Sequence, residues 1–358
     1  MRNTEPLLRV EHLRVEVPTR RGTLVAVDDV SFDIAPGEVL GVVGESGAGK
    51  SLTGAAIIGL LEPPLRIAGG RIALGSTRID NLPYEAMRRI RGKEIGAIFQ
   101  DPLTSLNPLY AIGHQLVETI RTHLDLGPAE ARARALSLLR EVGISGADER
   151  IDHYPHQFSG GMRQRVVIAL ALAANPRLII ADEPTTALDV SIQAQMINLF
   201  EELQTEFNLT YLFIAHDLAV VRHISDRVAV MYLGVIVEVS PADELYESPL
   251  HPYTISLLSA IPIPDPVVER ARKPILLAGD LPSPANPPAA CRFHTRCPYV
   301  QDTRCRDETP PLRELAPGHM VACHWAEQIR AGQLEPKQRL AEAVAPVQAP
   351  VAAPPSTA

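Results

Sequence analysis

Apolar and polar positions alternate over residues 7–17 and again over 25–34, and a period of two predicts two half-buried strands. Pro36-Gly37 then makes a turn. Residues 38–43 form a short apolar strand that runs directly into a glycine-rich loop, and the pattern turns helical over 50–60. Pro128 at a first helical position and Gly143 past the end predict a helix over 128–142. Another covers 161–174 and stops at Asn175-Pro176. The unbroken apolar run at 178–181 predicts a fully buried strand. A helix over 190–207, a strand over 210–215 and a closing pair at 228–232 and 235–239 follow. Ser240-Pro241-Ala242-Asp243 reads as a cap with Pro at the first helical position of a short helix. Strands alternating with helices predict an α/β domain built on a mainly parallel sheet.

Composition changes this picture in three places. Lys plus Arg number 34 against 42 Asp plus Glu, a net charge of −8, which argues against a protein whose main task is gripping nucleic-acid phosphates. No run of 18 apolar residues occurs, so the chain is not expected to span a membrane. Met1-Arg2-Asn3-Thr4-Glu5-Pro6 lacks the apolar core of a secretory signal, and a cytosolic location is expected. Of 32 prolines, 17 follow residue 260, which marks a boundary between an α/β domain over 5–260 and a loop-rich extension over 261–330. The Pro- and Ala-rich residues 331–358 carry too few large apolar groups to offset the entropy of ordering, and a disordered tail is expected.

The loop Gly44-Glu45-Ser46-Gly47-Ala48-Gly49-Lys50-Ser51 fits G-x-x-x-x-G-K-[ST] at every fixed position, between a strand and a helix. Glycines let main-chain N–H groups turn inward around phosphate oxygens, the helix N-terminus faces the same anion, Lys50 reaches the β- and γ-phosphates, and Ser51 can bind Mg²⁺. A buried strand ending in Asp should accompany such a loop. Residues 178–181 followed by Asp182-Glu183 supply it, with Asp182 for Mg²⁺ and Glu183 as candidate general base or water-orienting group.

Phe158-Ser159-Gly160-Gly161-Met162-Arg163-Gln164-Arg165 is more specific, since Ser159, Gly160 and Gly161 open a helix and form a second anion site. Here the sequence resembles the ATP-binding cassette (ABC) ATPases, whose signature is usually Leu-Ser-Gly-Gly-Gln; Phe158 and Met162 depart from it while the Ser-Gly-Gly core is kept. Gln100 after the apolar 95–99, Ala187-Leu188-Asp189, and His216 after the 210–215 strand follow in family order. The resemblance implies a RecA-like core with an antiparallel β subdomain and a helical subdomain, and two cassettes packed head to tail around ATP. It implies that Lys50 and the 44–51 backbone hold phosphates and that Ser51, Gln100 and Asp182 hold Mg²⁺. Glu183 would then polarise water, His216 contact the γ-phosphate, Ser159, Gly160 and Gly161 touch the partner's ATP, and Asp189 join the two sites. The family's adenine-stacking aromatic is replaced by Val17, with Arg20 or Arg21 as candidates to lie over the ring.

Phe99-Gln100-Asp101-Pro102-Leu103-Thr104-Ser105-Leu106-Asn107-Pro108, Pro184-Thr185-Thr186-Ala187-Leu188-Asp189-Val190 and His251-Pro252-Tyr253-Thr254 resemble the ATPases of oligopeptide and dipeptide importers. That resemblance implies two integral membrane permease subunits, with Leu103, Leu106 and Leu109 as docking residues, and a second, different ATPase subunit. It further implies an extracytoplasmic substrate-binding protein, a peripheral place on the cytoplasmic face of the inner membrane, and no nucleic-acid partner. A nickel chelate or a glutathione-type solute is the alternative cargo. DNA- or ribosome-acting cassettes fit poorly, because the chain has one cassette and no heptad run. A catalytically inert regulatory subunit is opposed by the intact Lys50, Ser51, Asp182, Glu183 and His216.

The four cysteines, Cys291, Cys297, Cys305 and Cys323, all fall in the extension, without a C-x2-C pair. In a reducing compartment such clustering points to metal before disulfides. Irregularly spaced thiolates suit a [4Fe–4S] cluster, with Zn²⁺ the alternative, in a structural role for a segment that buries little core. Relatives of this type carry the same cysteines and include iron–sulfur members.

Overall fold

The computed structural model describes residues 5–20, 22–186, 188–262, 265, 269–270, 275, 277, 279–301 and 303–337. β1 (Leu8–Thr19) and β2 (Gly22–Ile34) pair antiparallel and precede β3 (Val39–Val43), whose five residues are all buried. The phosphate loop and α1 (Lys50–Ile57) follow, then β4 (Arg66–Leu74), β5 (Thr77–Arg78), α2 (Tyr84–Ile90) and β6 (Ile95–Ile98). A helical stretch comes next: α3 (Pro102–Ser105), α4 (Ile112–His123), α5 (Pro128–Glu141), α6 (Ala147–Arg150) and α7 (Gly160–Leu172). The chain returns to β7 (Leu178–Asp182), α8 (Val190–Phe207), β8 (Thr210–Ala215), α9 (Leu218–Ile224), β9 (Arg227–Tyr232), β10 (Val235–Pro241), α10 (Ala242–Glu247) and α11 (Pro252–Ser259). In the extension, β11 (Arg313–Ala316) and β12 (His319–Val321) form a hairpin.

Two sheets result. One is antiparallel, in the order β2-β1-β4-β5; the other has eight strands in the order β11-β12-β10-β9-β3-β8-β7-β6. Within the second, β9, β3, β8, β7 and β6 run parallel. The register sets Val43 opposite Ala215 and Val230, Ala181 opposite Ile98, and Asp182 opposite Ile214. The phosphate loop, Asp182-Glu183, His216 and Gln100 therefore all leave the same carboxyl edge, where α/β sheets bind ligands.

Alternation in the buried strands sends side chains to both faces. Val39, Val43, Ile179, Ala181, Tyr211 and Phe213 join a core with α4, α5, α7, α8 and α9. Leu40, Val42, Leu178, Ile180, Leu212 and Ile214 join a second core with α1 and the antiparallel sheet. The expected α/β class with antiparallel and helical parts is thus observed. Several boundaries differ: β1 and β2 extend to Thr19 and from Gly22, α1 ends at Ile57, α7 ends at Leu172, and Ser240 remains in β10, so that Pro241, with no side-chain donor or acceptor to offer, caps α10.

The extension does not stand apart. β12 pairs with β10, through Val321 opposite Glu238, and continues the main sheet. Glu238 is fully buried and accepts from the main-chain N–H groups of Leu250 and His251 at 2.6 and 3.0 Å, while His319 Nε2 lies 2.7 Å from its Oε1. Residues 331–337 are not tail: Lys337 donates through its N–H to Pro298 O at 2.8 Å and through Nζ to Val300 O at 2.7 Å. The remainder of the expected tail, 338–358, lies outside the described residues.

Glu238→Ala strands two buried N–H groups and one imidazole, and is expected to cost about 3 kcal/mol of stability. Urea unfolding measures it; a loss below about 1 kcal/mol would show that this junction holds nothing together.

Candidate active site

The turn out of β3 needs glycine. Gly44 has φ 153°, and a Cβ there would sit 2.2 Å from Met231 O; Gly49 has φ 101°, with Ala26 O at 3.0 Å from its added Cβ. Only residues without side chains let the loop pass this close to neighbouring backbone. Lys50, 4% exposed, donates from Nζ to Gly44 O at 2.8 Å and Glu45 O at 3.2 Å. Burial pulls its pKa down, against the opposing pull of Glu183 and Asp182. Its charge is thus held by two carbonyls at the mouth of the loop, beside the inward N–H groups.

Ser51 Oγ donates to Asp182 Oδ1 at 2.9 Å. Burial raises the Asp182 carboxyl above its ordinary range, and the Ser51 hydrogen bond works against that rise. Hydroxyl, carboxylate and the amide of Gln100 are hard donors of the kind Mg²⁺ takes, so the residues fit that ion.

Glu183 is the hub. Gln100 Nε2, Thr186 Oγ1 and His216 Nδ1 converge on its Oε2 at 3.2, 3.0 and 3.2 Å, and Lys50 Nζ stands 4.0 Å from Oε1. An ionised carboxylate only accepts, so the imidazole carries its hydrogen on Nδ1 in this contact. Three donors on one oxygen fix the carboxylate plane, with Lys50 on the side of the other oxygen. Glu183 has φ 48°, an unusual conformation for a non-glycine, and its N–H is tied to Ile214 O at 2.9 Å. Lys50, Ser51, Gln100, Asp182, Glu183 and His216, predicted from separate stretches, are therefore brought together. Thr186 was not predicted, since a Thr three residues after an acid carries no signal of its own.

Ser159, Gly160 and Gly161 lie elsewhere. Ser159 caps α7, its Oγ accepting from Met162 N at 3.3 Å, on the sheet face opposite α1. Ser159 and Gly160 are exposed, and a Cβ built on Gly160 meets nothing within 4 Å. Asp189 caps α8 by accepting from Ile192 N at 3.0 Å, and Ile192 packs against Gly161, so the Asp189 turn flanks the same surface. Ala187 lies outside the described residues, as does Arg21. Val17 pairs with Leu24 in the antiparallel sheet, and Arg20 is exposed.

Within the phosphate loop, Glu45 has a role the sequence did not reveal. Its carboxylate takes a bidentate hydrogen bond from Arg296, NH1 to Oε2 at 2.6 Å and NH2 to Oε1 at 3.1 Å, across 251 positions of chain. Tyr253 Oη accepts from Glu45 N at 2.9 Å.

The cysteines form a separate feature. All four are free, and with His294, His324, Phe293 and Trp325 they line one small enclosed cavity. Cys291 N donates to Cys305 O at 3.3 Å, and Trp325 N to Cys323 Sγ at 3.4 Å. Burial pushes the Cys291 thiol up to about 11 and Cys323 up to about 12, and drives Cys297 up as well. Among the described residues no three His, Cys, Asp or Glu side chains converge closely enough to hold a metal ion. The four thiols share this one cavity. Buried thiols lose their protons only when a metal takes their place.

Residues 27–186 match the family model described as ABC transporter, and residues 237–305 match that of the oligopeptide/dipeptide transporter, C-terminal region. The chain is 49% identical over 329 residues to the oligopeptide transport ATP-binding protein AppF of Bacillus subtilis, covering 90% of this chain and 98% of that protein. It is 48% identical over 327 residues to the oligopeptide transport ATP-binding protein OppF of Salmonella typhimurium, with 88% and 95% covered. A dimeric post-hydrolysis state of the ATP-binding cassette MJ0796, bound to ADP and Pi, superposes with a TM-score of 0.59 at 27% identity, covering 66% of this chain and 98% of that one.

Glu183→Gln keeps the shape of the hub and removes the basic oxygen. Turnover is expected to fall at least about a hundredfold, the usual contribution of a general base, while ATP still binds and holds dimers closed. Phosphate release and sizing chromatography with ATP measure the two effects; unchanged hydrolysis would remove Glu183 from its role.

Proposed function

Because this chain belongs to the ATP-binding subunits of ABC transporters, in the branch that carries the oligopeptide/dipeptide-transporter C-terminal region, we propose that it hydrolyses ATP to power peptide import through separate membrane subunits. The observation that carries the ATPase reading is the Glu183 hub, where Lys50, Gln100, Thr186 and His216 meet one carboxylate beside the phosphate loop. Mg²⁺, when bound, offsets phosphate charge. The Lys50 ammonium and the loop N–H groups bind the β- and γ-phosphates, Glu183 orients water and takes its proton, and His216 holds Glu183 in place. The exposed Ser159-Gly160-Gly161 turn completes the site of a second cassette, so hydrolysis requires two chains. The partner chain is a different ATPase subunit of the same transporter, and an extracytoplasmic binding protein selects the solute.

Among the described residues no helix is long and apolar enough to cross a membrane. The reading therefore needs a docking surface for the permeases on the cytoplasmic side of the membrane. Leu103 and Leu109 are 60% and 80% exposed, and Leu103 precedes Thr104, which lines a groove with Gly92, Ala97, Phe99, Thr119 and Leu170. Leu106, expected to dock beside them, is instead 2% exposed and packs in the core. A hydrophobic ridge beside a groove between helices and sheet suits an inserted permease helix.

For the cysteines, the donor set of four thiols and no carboxylate around one cavity supports a soft-metal structural cofactor, a [4Fe–4S] cluster ahead of Zn²⁺. Cys291, Cys297, Cys305 and Cys323 would hold it. When bound, it would cross-link a segment that buries little core of its own.

Two outcomes are expected. Affinity purification of the tagged chain, expressed with its neighbouring genes, should recover two integral membrane subunits, a second ATPase and a peptide-binding protein, and Leu103→Asp with Leu109→Asp should lose the membrane subunits. Recovery of nucleic acid or ribosomes in their place would overturn the transport reading. Protein purified anaerobically should be brown, absorbing near about 400 nm, with about four iron per chain. Colourless protein carrying zinc would replace the cluster with Zn²⁺.

A further inference from the structure

The phosphate loop is held from the C-terminal end of the cassette and from the extension beyond it. Glu45, its second residue, is gripped twice by the segment after residue 250: Arg296 takes both carboxylate oxygens, and the Tyr253 hydroxyl takes the main-chain N–H. Neither partner is a loose surface contact. Arg296 is 8% exposed and Tyr253 fully buried, and Glu45's hydrogen bonds drive the Arg296 pKa higher against the lowering effect of burial. Tyr253 packs against Tyr232 and Phe293, with ring centroids 4.8 and 5.4 Å away. Arg292, on the same short stretch as Arg296, bonds to Leu233 O and to Asp28, which pins that stretch to the β9–β10 turn and to β2.

The grip leads directly to the phosphate-binding cation. The Gly44 carbonyl belongs to the same peptide as the N–H that Tyr253 takes, the Glu45 carbonyl to the next one, and both accept from Lys50 Nζ. A rotation of the first peptide would move the nearer of the two oxygens that hold the ammonium. Bidentate guanidinium–carboxylate pairs fix orientation as well as distance, which a single point charge cannot do.

We propose that Arg296 and Tyr253 are positioning residues of the nucleotide site: by fixing the Glu45 peptide they set where Lys50 meets the phosphates, and the C-terminal extension is thereby part of ATP binding. This deepens the ATPase reading and rests on Lys50 serving the β- and γ-phosphates. Neither residue touches nucleotide; both act through Glu45 and Lys50.

The test uses the full-length chain purified together with its second ATPase subunit, with MgATP. KM and kcat come from steady-state hydrolysis, affinity from titration with a fluorescent ATP analogue, and folding from the thermal midpoint. Arg296→Met should raise KM and the dissociation constant about tenfold with kcat changed less than about threefold, because the lost interaction is uniform phosphate binding. Arg296→Lys should recover part of the loss and Tyr253→Phe should raise KM several-fold. Glu45→Gln combined with Arg296→Met should be no worse than Arg296→Met alone, the signature of one shared interaction. Arg313→Met serves as control. It breaks a pair with Glu327 that lies wholly within the extension, and should leave KM within twofold. Unchanged KM in folded Arg296→Met, or an equal rise in Arg313→Met, would overturn the proposal. Absence of ATPase activity and ATP binding in the unaltered chain would instead overturn the ATPase reading on which it stands.

Discussion

A buried ammonium is costly unless oxygen atoms surround it, and Lys50 is 4% exposed at the centre of the loop that must receive phosphate. Much of the architecture near the carboxyl edge of the main sheet answers that requirement. Gly44 gives up its side chain so that the backbone can pass beside Met231 O, which brings the Gly44 and Glu45 carbonyls to Nζ. Asp182 and Glu183 add negative charge from the next strand but one, with Lys50 4.0 Å from Glu183. The parallel register of β3, β8 and β7 delivers these groups to one place, since each strand end is level with its neighbour.

The same economy of position governs Glu183. A carboxylate free to rotate would be a poor water-orienting group, because each rotamer aims its lone pairs elsewhere. Gln100, Thr186 and His216 come from three separate segments and remove that freedom by sharing Oε2. The left-handed backbone at Glu183 costs about 1–3 kcal/mol by itself. Its tie to Ile214 O shows that the sheet sustains it.

Local chemistry was legible in the sequence wherever contiguous residues carried it. The helix over 190–207 was read to the residue, since Asp189 caps its start and Asn208, at φ 50°, stops it with a left-handed turn. The phosphate loop and Asp182-Glu183 were legible because strand, loop and helix adjoin them. What remained hidden was set by distant pairing. Leu103, Leu106 and Leu109 look alike in sequence, yet α3 closes after one turn and Leu106 then runs extended into the main core. The four cysteines could be seen to cluster in sequence, but the cavity they share depends on the fold of the loops between them. Arg296 and Glu45 are separated by 251 positions, and no periodicity or motif spacing spans that distance.

That pairing also explains why an extension so poor in core is ordered at all. Its own apolar cluster is small, with Leu250, Val321, Cys323 and Ala326 at its centre, far short of what an independent unit of this length needs. Order is borrowed from the cassette through the pairing of β12 with β10, through Phe293, Tyr299 and Val300 in the main core, and through three polar anchors: Glu238 with His319, Arg292 with Asp28, and Arg296 with Glu45. Two anchors rest on structural strands, but the third rests on the phosphate loop itself, next to Cys297 in the thiol-lined cavity. Coupling free energy is reciprocal, so whatever the loop does for the extension, the extension does equally for the loop. A phosphate loop with this anchor is therefore not an autonomous binding element, and its affinity for phosphate is a property of two regions joined at Glu45.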